Sequence, residues 1–264
     1  MFTTNPFLEL SLSVPSLALK AFVIVMIALV VIGTLLDIIH KKNVTYFFNN
    51  AKKAKQSAKK ELTSSERIGI ISKTIVHDIA TTSELGMGKR RAAHLLGMYG
   101  TILFWLGSAV MIFCYTSASA NTPIFWPIIW HIGAIMTCVG GYWFWLFLRV
   151  DVSAEAHSVF RIITADLFVL SLLASSTFGL IWSYLQYQGI KGWDSLFLVL
   201  FALSNIILFG GVYWSKFAHM FYKPGAAIQK NLAKADGSND DLPQPADAPE
   251  EFGLGISREK PKHY

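Results

Sequence analysis

Five long apolar blocks, separated by polar intervals, set the pattern of the chain: residues 19–39, 92–114, 124–148, 162–185 and 196–214. At about 1.5 Å of helix rise per residue, each is long enough to cross a hydrocarbon layer of about 30 Å, or nearly so. The pattern predicts an all-α protein, an integral membrane bundle of five transmembrane helices. The first block carries Lys20 and Asp37 near its ends, from where a charged group is expected to reach the headgroups. The third has Phe125, Trp126 and Trp130 near one end and Trp143, Phe144, Trp145 and Phe147 near the other, as interfacial belts would be. No basic leader precedes the first block and no small-residue cleavage pattern follows it, so it is expected to be a helix rather than a signal peptide.

Composition agrees: of 264 residues, 53% are apolar and 14% aromatic. Charge adds an orientation. The interval 41–91 holds twelve basic residues against four acids (Glu61, Glu66, Asp78 and Glu84), whereas 115–123 carries no charge. Positive charge stays on the cytoplasmic side, so the chain is expected to be a multi-pass inner-membrane protein with its N-terminus outside and its C-terminus cytoplasmic. Arg149 and Arg161 flank the next inner connection, and Lys191 is the single base of the last outer one, in agreement. The expected organisation is a membrane domain over 1–223, with a cytoplasmic amphipathic segment at about 41–91, and a flexible cytoplasmic tail over 224–264. That tail has Pro243, Pro245, Pro249 and Pro261 among its charges, and too little apolar content to fold alone.

Within the basic interval, Ile68, Ile71, Ile75 and Ile79 recur at helical spacing, which suggests a surface helix against the membrane or a partner. Orientation with anionic-lipid contact and docking of a soluble subunit both fit the basic run; no nucleic-acid partner is expected. Cys114 and Cys138 lie in apolar blocks without a CxxC pattern, so no iron-sulfur or zinc site is evident.

An imidazole near hydrocarbon is costly unless it is paired or ligates something, so the depth of each histidine carries information. His94 opens the second block from the inside and His219 follows the fifth on the same side, at matched depth. A b-type haem between two helices needs one imidazole on each face of its iron, with small residues where the ring passes the backbone; Gly97, Gly210 and Gly211 are candidates. Position alone leaves open two interfacial histidines bonded to headgroups or loop groups. His157, in the inner connection, reads as a loop histidine or a substitute ligand. His131 has no histidine partner at its depth and is a candidate for a hydrogen bond to quinone, against an ordinary interfacial role. His77, beside Asp78, reads as a surface or docking residue, His40 as part of a basic collar with Lys41 and Lys42, and His263 as part of the tail. Asp166 is the single acid inside the fourth block; a proton or quinone role competes with simple pairing to Arg161.

The stretch Lys89-Arg90-Arg91-Ala92-Ala93-His94-Leu95-Leu96-Gly97 and the run Trp214-Ser215-Lys216-Phe217-Ala218-His219, set in a five-helix plan, resemble the haem-b membrane subunits of the respiratory nitrate reductase gamma type. They are similar also to relatives that anchor sulfur-metabolism enzymes, including the quinone-interacting oxidoreductase C subunit and the membrane anchor of adenylylsulfate reductase. The resemblance covers about residues 18–223 in helix count and order, and its specific content lies in the two histidine stretches. It implies haem b ligated by His94 and His219, quinone as substrate, and cytoplasmic oxidoreductase subunits, adenylylsulfate reductase among them, as partners. The family commonly has a second, outer histidine pair, which would fall near Phe104 and Phe201; neither can ligate iron, which favours one inner haem, or none. The fused cysteine-rich domain of the larger C subunit has no counterpart here, which favours a simple anchor. The chain would then pass electrons between its partner and quinone, with substrate chemistry in the partner. The alternative is a haem-free scaffold that holds a soluble redox complex at the membrane; a transporter would need paired broken helices that are not evident.

Overall fold

The computed structural model describes residues 1–85, 88–117, 121–149, 160–215, 217, 219–239, 251–252 and 256–257. It is an all-α bundle, and five of its helices are long and apolar enough to cross a membrane: Ser16–His40, Lys89–Cys114, Phe125–Leu148, Thr164–Tyr187 and Trp193–Gly210. The chain is membrane-embedded, and the outward-facing Ile24, Ile27, Ile32, Leu106, Val139, Val199 and Leu203 contact lipid.

The described residues divide into two units, one of 1–41 with 85–219 and the other of 42–84 with 220–264. In the first, a short helix α1 (Pro6–Leu10) precedes α2 (Ser16–Lys41), α5 (Lys89–Cys114), α6 (Phe125–Trp143), α7 (Leu167–Tyr187) and α8 (Trp193–Gly210). The second holds α3 (Asn43–Gln56), α4 (Ser64–Lys73) and most of α9 (His219–Ala235). A two-residue antiparallel ribbon, Glu251–Phe252 with Ile256–Ser257, also falls in the second unit.

In the membrane unit the most extensive helix pairing is α5 on α6. Lipid is as apolar as leucine, so helices there associate through close backbone approach at small residues. A Cβ on Gly100 would lie 2.5 Å from the Thr137 nitrogen, and one on Gly133 2.5 Å from the Phe104 nitrogen. α6 continues through a π-helical turn, Phe144–Leu148, to Arg149. The end of the bundle that carries Lys41, Lys89–Arg91 and Arg149 is called here the basic end.

At the opposite end, α1 closes the bundle. Asn5 caps α1 by accepting from the Phe7 and Leu8 amides, and its side-chain amide donates to the Tyr115 carbonyl and to Thr122 Oγ1, each at 3.1 Å. Gln186 reaches back to the Pro6 carbonyl. These bonds seat Phe7 between Trp130 and Trp182, ring centroids 5.8 and 5.5 Å away.

Three sequence expectations change. The fifth span ends at Gly210 instead of 214: the Gly211 amide bonds to the Ile207 carbonyl, and a side chain at Gly211 would sit 2.6 Å from that oxygen. The chain then turns, and His219 opens the separate helix α9. Asp37, expected to reach the headgroups, is 1% exposed, because α2 runs on to Lys41 and turns this residue into the bundle. The stretch expected to be loose from 224 begins as helix: Ala226, Ala227, Gln229, Lys230, Leu232, Ala233, Lys234 and Ala235 are good helix formers. The remainder of the tail lies almost wholly outside the described residues.

The second unit shows why that helix forms. Asn231 donates to Thr74 Oγ1 at 2.8 Å and to Asp78 Oδ2 at 2.6 Å, the Lys59 and Lys60 amides bond to the Asp236 carbonyl, and Phe47 packs beside Gly225. α4 starts in a capping box between Thr63 and Glu66, whose carboxyl is lowered to about 2, first by the Lys60 hydrogen bond and then by Thr63. Asp78 is lowered from 3.8 to about 2 by hydrogen bonds from His77, Ser83 and Asn231, in that order.

Two outcomes follow from this packing. Gly100→Leu should force α5 from α6 and lower bundle stability by about 1–3 kcal/mol, read by thermal or denaturant unfolding in detergent; an unchanged midpoint would mean the contact is not tight. The folded Asp78 carboxyl titrates below its unfolded value, so its contribution to the second unit is full above pH 3.8 and is lost as pH falls through about 2. Asn231→Ala should raise the Asp78 titration point, followed by carboxyl NMR; no movement would show that Asn231 does not hold the carboxylate.

Candidate functional site

The two halves of the membrane unit differ in how their polar groups are satisfied. In the half away from the basic end, aromatic rings fill the interior. Phe104 lies 5.1 Å from Trp130 and 6.1 Å from Phe201 between centroids, and Trp182 stacks on Phe201 at 5.8 Å. The Trp130 indole donates to Ser108 Oγ at 2.8 Å, and Ser108 in turn donates to the Phe104 carbonyl. The region around Phe104 and Phe201, where the family's outer histidine pair would fall, is thus occupied by side chains.

His131 belongs to this closed half. It is wholly buried, under the ring of Phe2 at 5.0 Å. Its Nδ1 lies 2.7 Å from the Pro127 carbonyl, which can only accept, so Nδ1 carries the proton. In the neutral ring Nε2 then accepts from the Ser183 hydroxyl at 2.9 Å. Both nitrogens are engaged, Nδ1 within α6 and Nε2 in tying α6 to α7.

Asp166 pairs with Arg149, not with Arg161. Arg149 Nη1 donates to Asp166 Oδ2 at 2.7 Å, Nη2 donates to the Arg161 carbonyl, and the guanidinium lies 4.0 Å over the Trp145 ring. The same carboxylate oxygen accepts from the Ile163 amide at the start of the fourth span. Arg149 directly follows the π-helical turn, and its guanidinium reaches the start of the fourth span.

The basic half is different. On α5, Arg90, His94, Gly97 and Trp105 recur at i, i+4, i+7 and i+15, and so share one stripe. His94 is exposed. A Cβ on Gly97 would have no neighbour within 4 Å, and one on Gly210 would meet only Leu29 Cδ1 at 3.9 Å; at Gly211, by contrast, the space is filled. Arg90 Nε and Trp105 Nε1 are buried without a hydrogen-bond partner among the described residues, as is Thr34 Oγ1 on α2.

His219 is reached by a return segment. Phe217, 2% exposed, tucks between Trp105, Phe168 and Phe209, with its ring stacked on Trp105 at 6.1 Å and 14°. This anchor holds the chain two residues before His219, which sequence depth alone placed directly after the fifth span. The side chain of His219, and all of His157, lie outside the described residues.

The buried Asp37 is the residue that sequence reading passed over. It continues the packed stripe Met26, Val30, Gly33 on α2, and Gly33 is small because a Cβ there would lie 2.8 Å from Val212. The spacing of that glycine and the acid, four residues apart, was the available signal. No family model matches the chain, and comparison with curated proteins and with solved structures finds no match either, so the basic-end stripe and its buried polar atoms stand as this chain's own description of its site.

Proposed function

We propose that the chain is the membrane anchor and electron-transfer subunit of a respiratory complex, linking a cytoplasmic sulfur-metabolising oxidoreductase to quinone through one haem b. The observation that carries the reading is the stripe on α5: an imidazole, a guanidinium four residues before it, an open glycine three residues after it, and an orphaned indole N–H deeper in the same row. These groups would hold one side of a haem: His94 would ligate the iron, Arg90 would balance the charge of the carboxylates and Gly97 would leave room for the ring. His219 is the second ligand in this reading, and the anchoring of Phe217 supports it by fixing the approach of that segment. Bound there, the haem supplies a one-electron relay. The residues of the chain hold its iron, balance its charge and exclude water. The aromatic packing around Phe104 and Phe201 supports one haem rather than two.

The partner side rests on the second unit. Its α4 presents Ile68 at 66% exposure and the π-helical segment that continues it, Thr74–Ile79, presents Ile75 at 47%, beside Arg67 and Lys73, an apolar stripe within positive charge suited to a docking protein. The bonds from Asn231 to Thr74 and Asp78 support a common face for the 41–91 interval and the tail, because an even number of spans separates them. The excess of lysine and arginine in that interval supports a cytoplasmic assignment for that face, and the resemblance of the two histidine stretches supports the inner membrane. Adenylylsulfate reductase is the proposed partner, on the resemblance of the two histidine stretches.

Haem quantification and spin-state spectroscopy on the assembled complex test the relay. Wild type should hold about one low-spin haem per chain; His94→Ala or His219→Ala should lose it or turn it high-spin, while His157→Ala keeps it low-spin. No haem in an intact complex made with ample haem would leave only the scaffold, and about two haems per chain would end the one-haem version. For docking, Lys52→Glu, Lys53→Glu and Lys55→Glu together should lower recovery of the partner on membranes on the order of tenfold. Unchanged recovery would confine those charges to orientation or lipid contact.

A further inference from the structure

We propose that the first turns of α3 and α9 form an aromatic foot that inserts among anionic phospholipid headgroups, with Lys42 and Lys223 holding the phosphates. Neither haem nor a soluble partner enters into this contact, and it lies on residues that the proposed docking face does not use.

Three aromatic residues stand in a row on α3, and packing inside the second unit accounts for one of them. Phe47 turns inward, where a Cβ on Gly225 of α9 would meet its Cζ at 3.7 Å. Tyr46 and Phe48 turn outward and are 63% and 64% exposed. The first turn of α9 repeats the arrangement, with Met220 and Phe221 both exposed. Large apolar side chains gathered on a surface mark a contact with something other than water.

The course of the chain says what that is. α3 starts at Asn43, three residues after the first span ends at His40. Met220 follows the buried Phe217 by three residues, at most about 11 Å of extended chain. Helical side chains tilt toward the N-terminus of their own helix. In α3 and α9 that is the end joined to the membrane unit, so the exposed rings lean back toward the headgroup layer, where amphipathic aromatic residues collect.

Charge selects the lipid. From residue 41 to residue 60 the chain has seven lysines and no acid, and α9 adds Lys223, Lys230 and Lys234, again without an acid. Glu66 and Asp78 belong instead to α4 and the π-helical segment that continues it. The two helices that leave the spans thus offer positive charge alone, which suits a layer of phosphates rather than a protein surface of mixed sign. Lys42 and Lys223 are exposed and close to the rings. The Lys42 carbonyl accepts from the Tyr46 amide at 3.0 Å, which keeps this base one turn from Tyr46, and Lys223 lies two residues after Phe221. Lys52, Lys53 and Lys55 begin a turn beyond Phe48 and remain for the soluble partner.

Photolabelling of the full, unmodified chain in liposomes tests the contact. Phosphatidylglycerol or phosphatidylcholine, at equal mole fraction, carries a diazirine at the top of one acyl chain, and labelled peptides are mapped by mass spectrometry. Adducts should fall on residues 46–48 and 220–221, about tenfold more from phosphatidylglycerol, and leave 67–75 unlabelled. Molar sodium chloride, where the Debye length is about 3 Å, should remove the preference, as should Lys42→Glu together with Lys223→Glu. No adducts at either turn, or equal adducts from the two lipids, overturn the proposal. The occupant is identified separately by p-benzoylphenylalanine in place of Phe48, irradiated in native membranes. A phospholipid adduct is expected; a cross-link to a second copy or to another polypeptide overturns the lipid site. Should that variant not assemble, the lipid preference of the unmodified chain decides alone.

Discussion

Hydrocarbon offers no hydrogen-bond partner, so every polar group carried into the bundle has to find one in the protein or keep a place for one. Most of this chain's polar groups comply. His131 closes on Pro127 and Ser183, Trp130 on Ser108, Ser175 on Asn205, and Asn205 on the Phe201 carbonyl. Each bond joins two helices or returns to a helix's own backbone, and together with the glycine contacts of α5 and α6 they fix the bundle without help from the aqueous phase. Against that background the orphaned Thr34, Arg90 and Trp105 atoms stand out. All three lie on two helices, Thr34 on α2 and the other two on α5.

The closed half also explains itself energetically. Offset and edge-to-face rings add about 0.5–1.5 kcal/mol per pair beyond their area, so a linked set from Phe7 through Trp182, Phe201, Phe104 and Trp130 is rigid as well as dry. α1 belongs to this set through Phe7, which makes the first ten residues part of the membrane unit's core.

Much of the fold was legible because hydropathy is a long-range signal: four of the five spans fall within a few residues of the apolar blocks. The fifth was misjudged because Val212, Tyr213 and Trp214 are as apolar as any span residue, while the break comes from Gly210 and Gly211, a local backbone matter. Asp37 was misjudged for the opposite reason: near a block's end, charge and depth cannot be told apart without knowing which way the helix face turns. Arg161 is nearer to Asp166 in sequence than Arg149, yet Arg149, directly after a π-helical turn that no residue pattern announces, is the residue that pairs with it. The helical start of the tail was hidden because α9 owes its place to Asn231 and Asp236, residues whose partners, Thr74, Asp78, Lys59 and Lys60, lie 153 to 177 positions earlier.

That last pairing has a consequence for biogenesis. The strands of the bond between Asn231 and the 74–78 turn are separated by four membrane crossings, so the turn waits, incompletely satisfied, while spans two to five are synthesised and inserted. The second unit is finished only when the chain has come out of the ribosome to at least residue 231. The proposed docking face, built on this unit, is therefore complete only after all five spans have been synthesised.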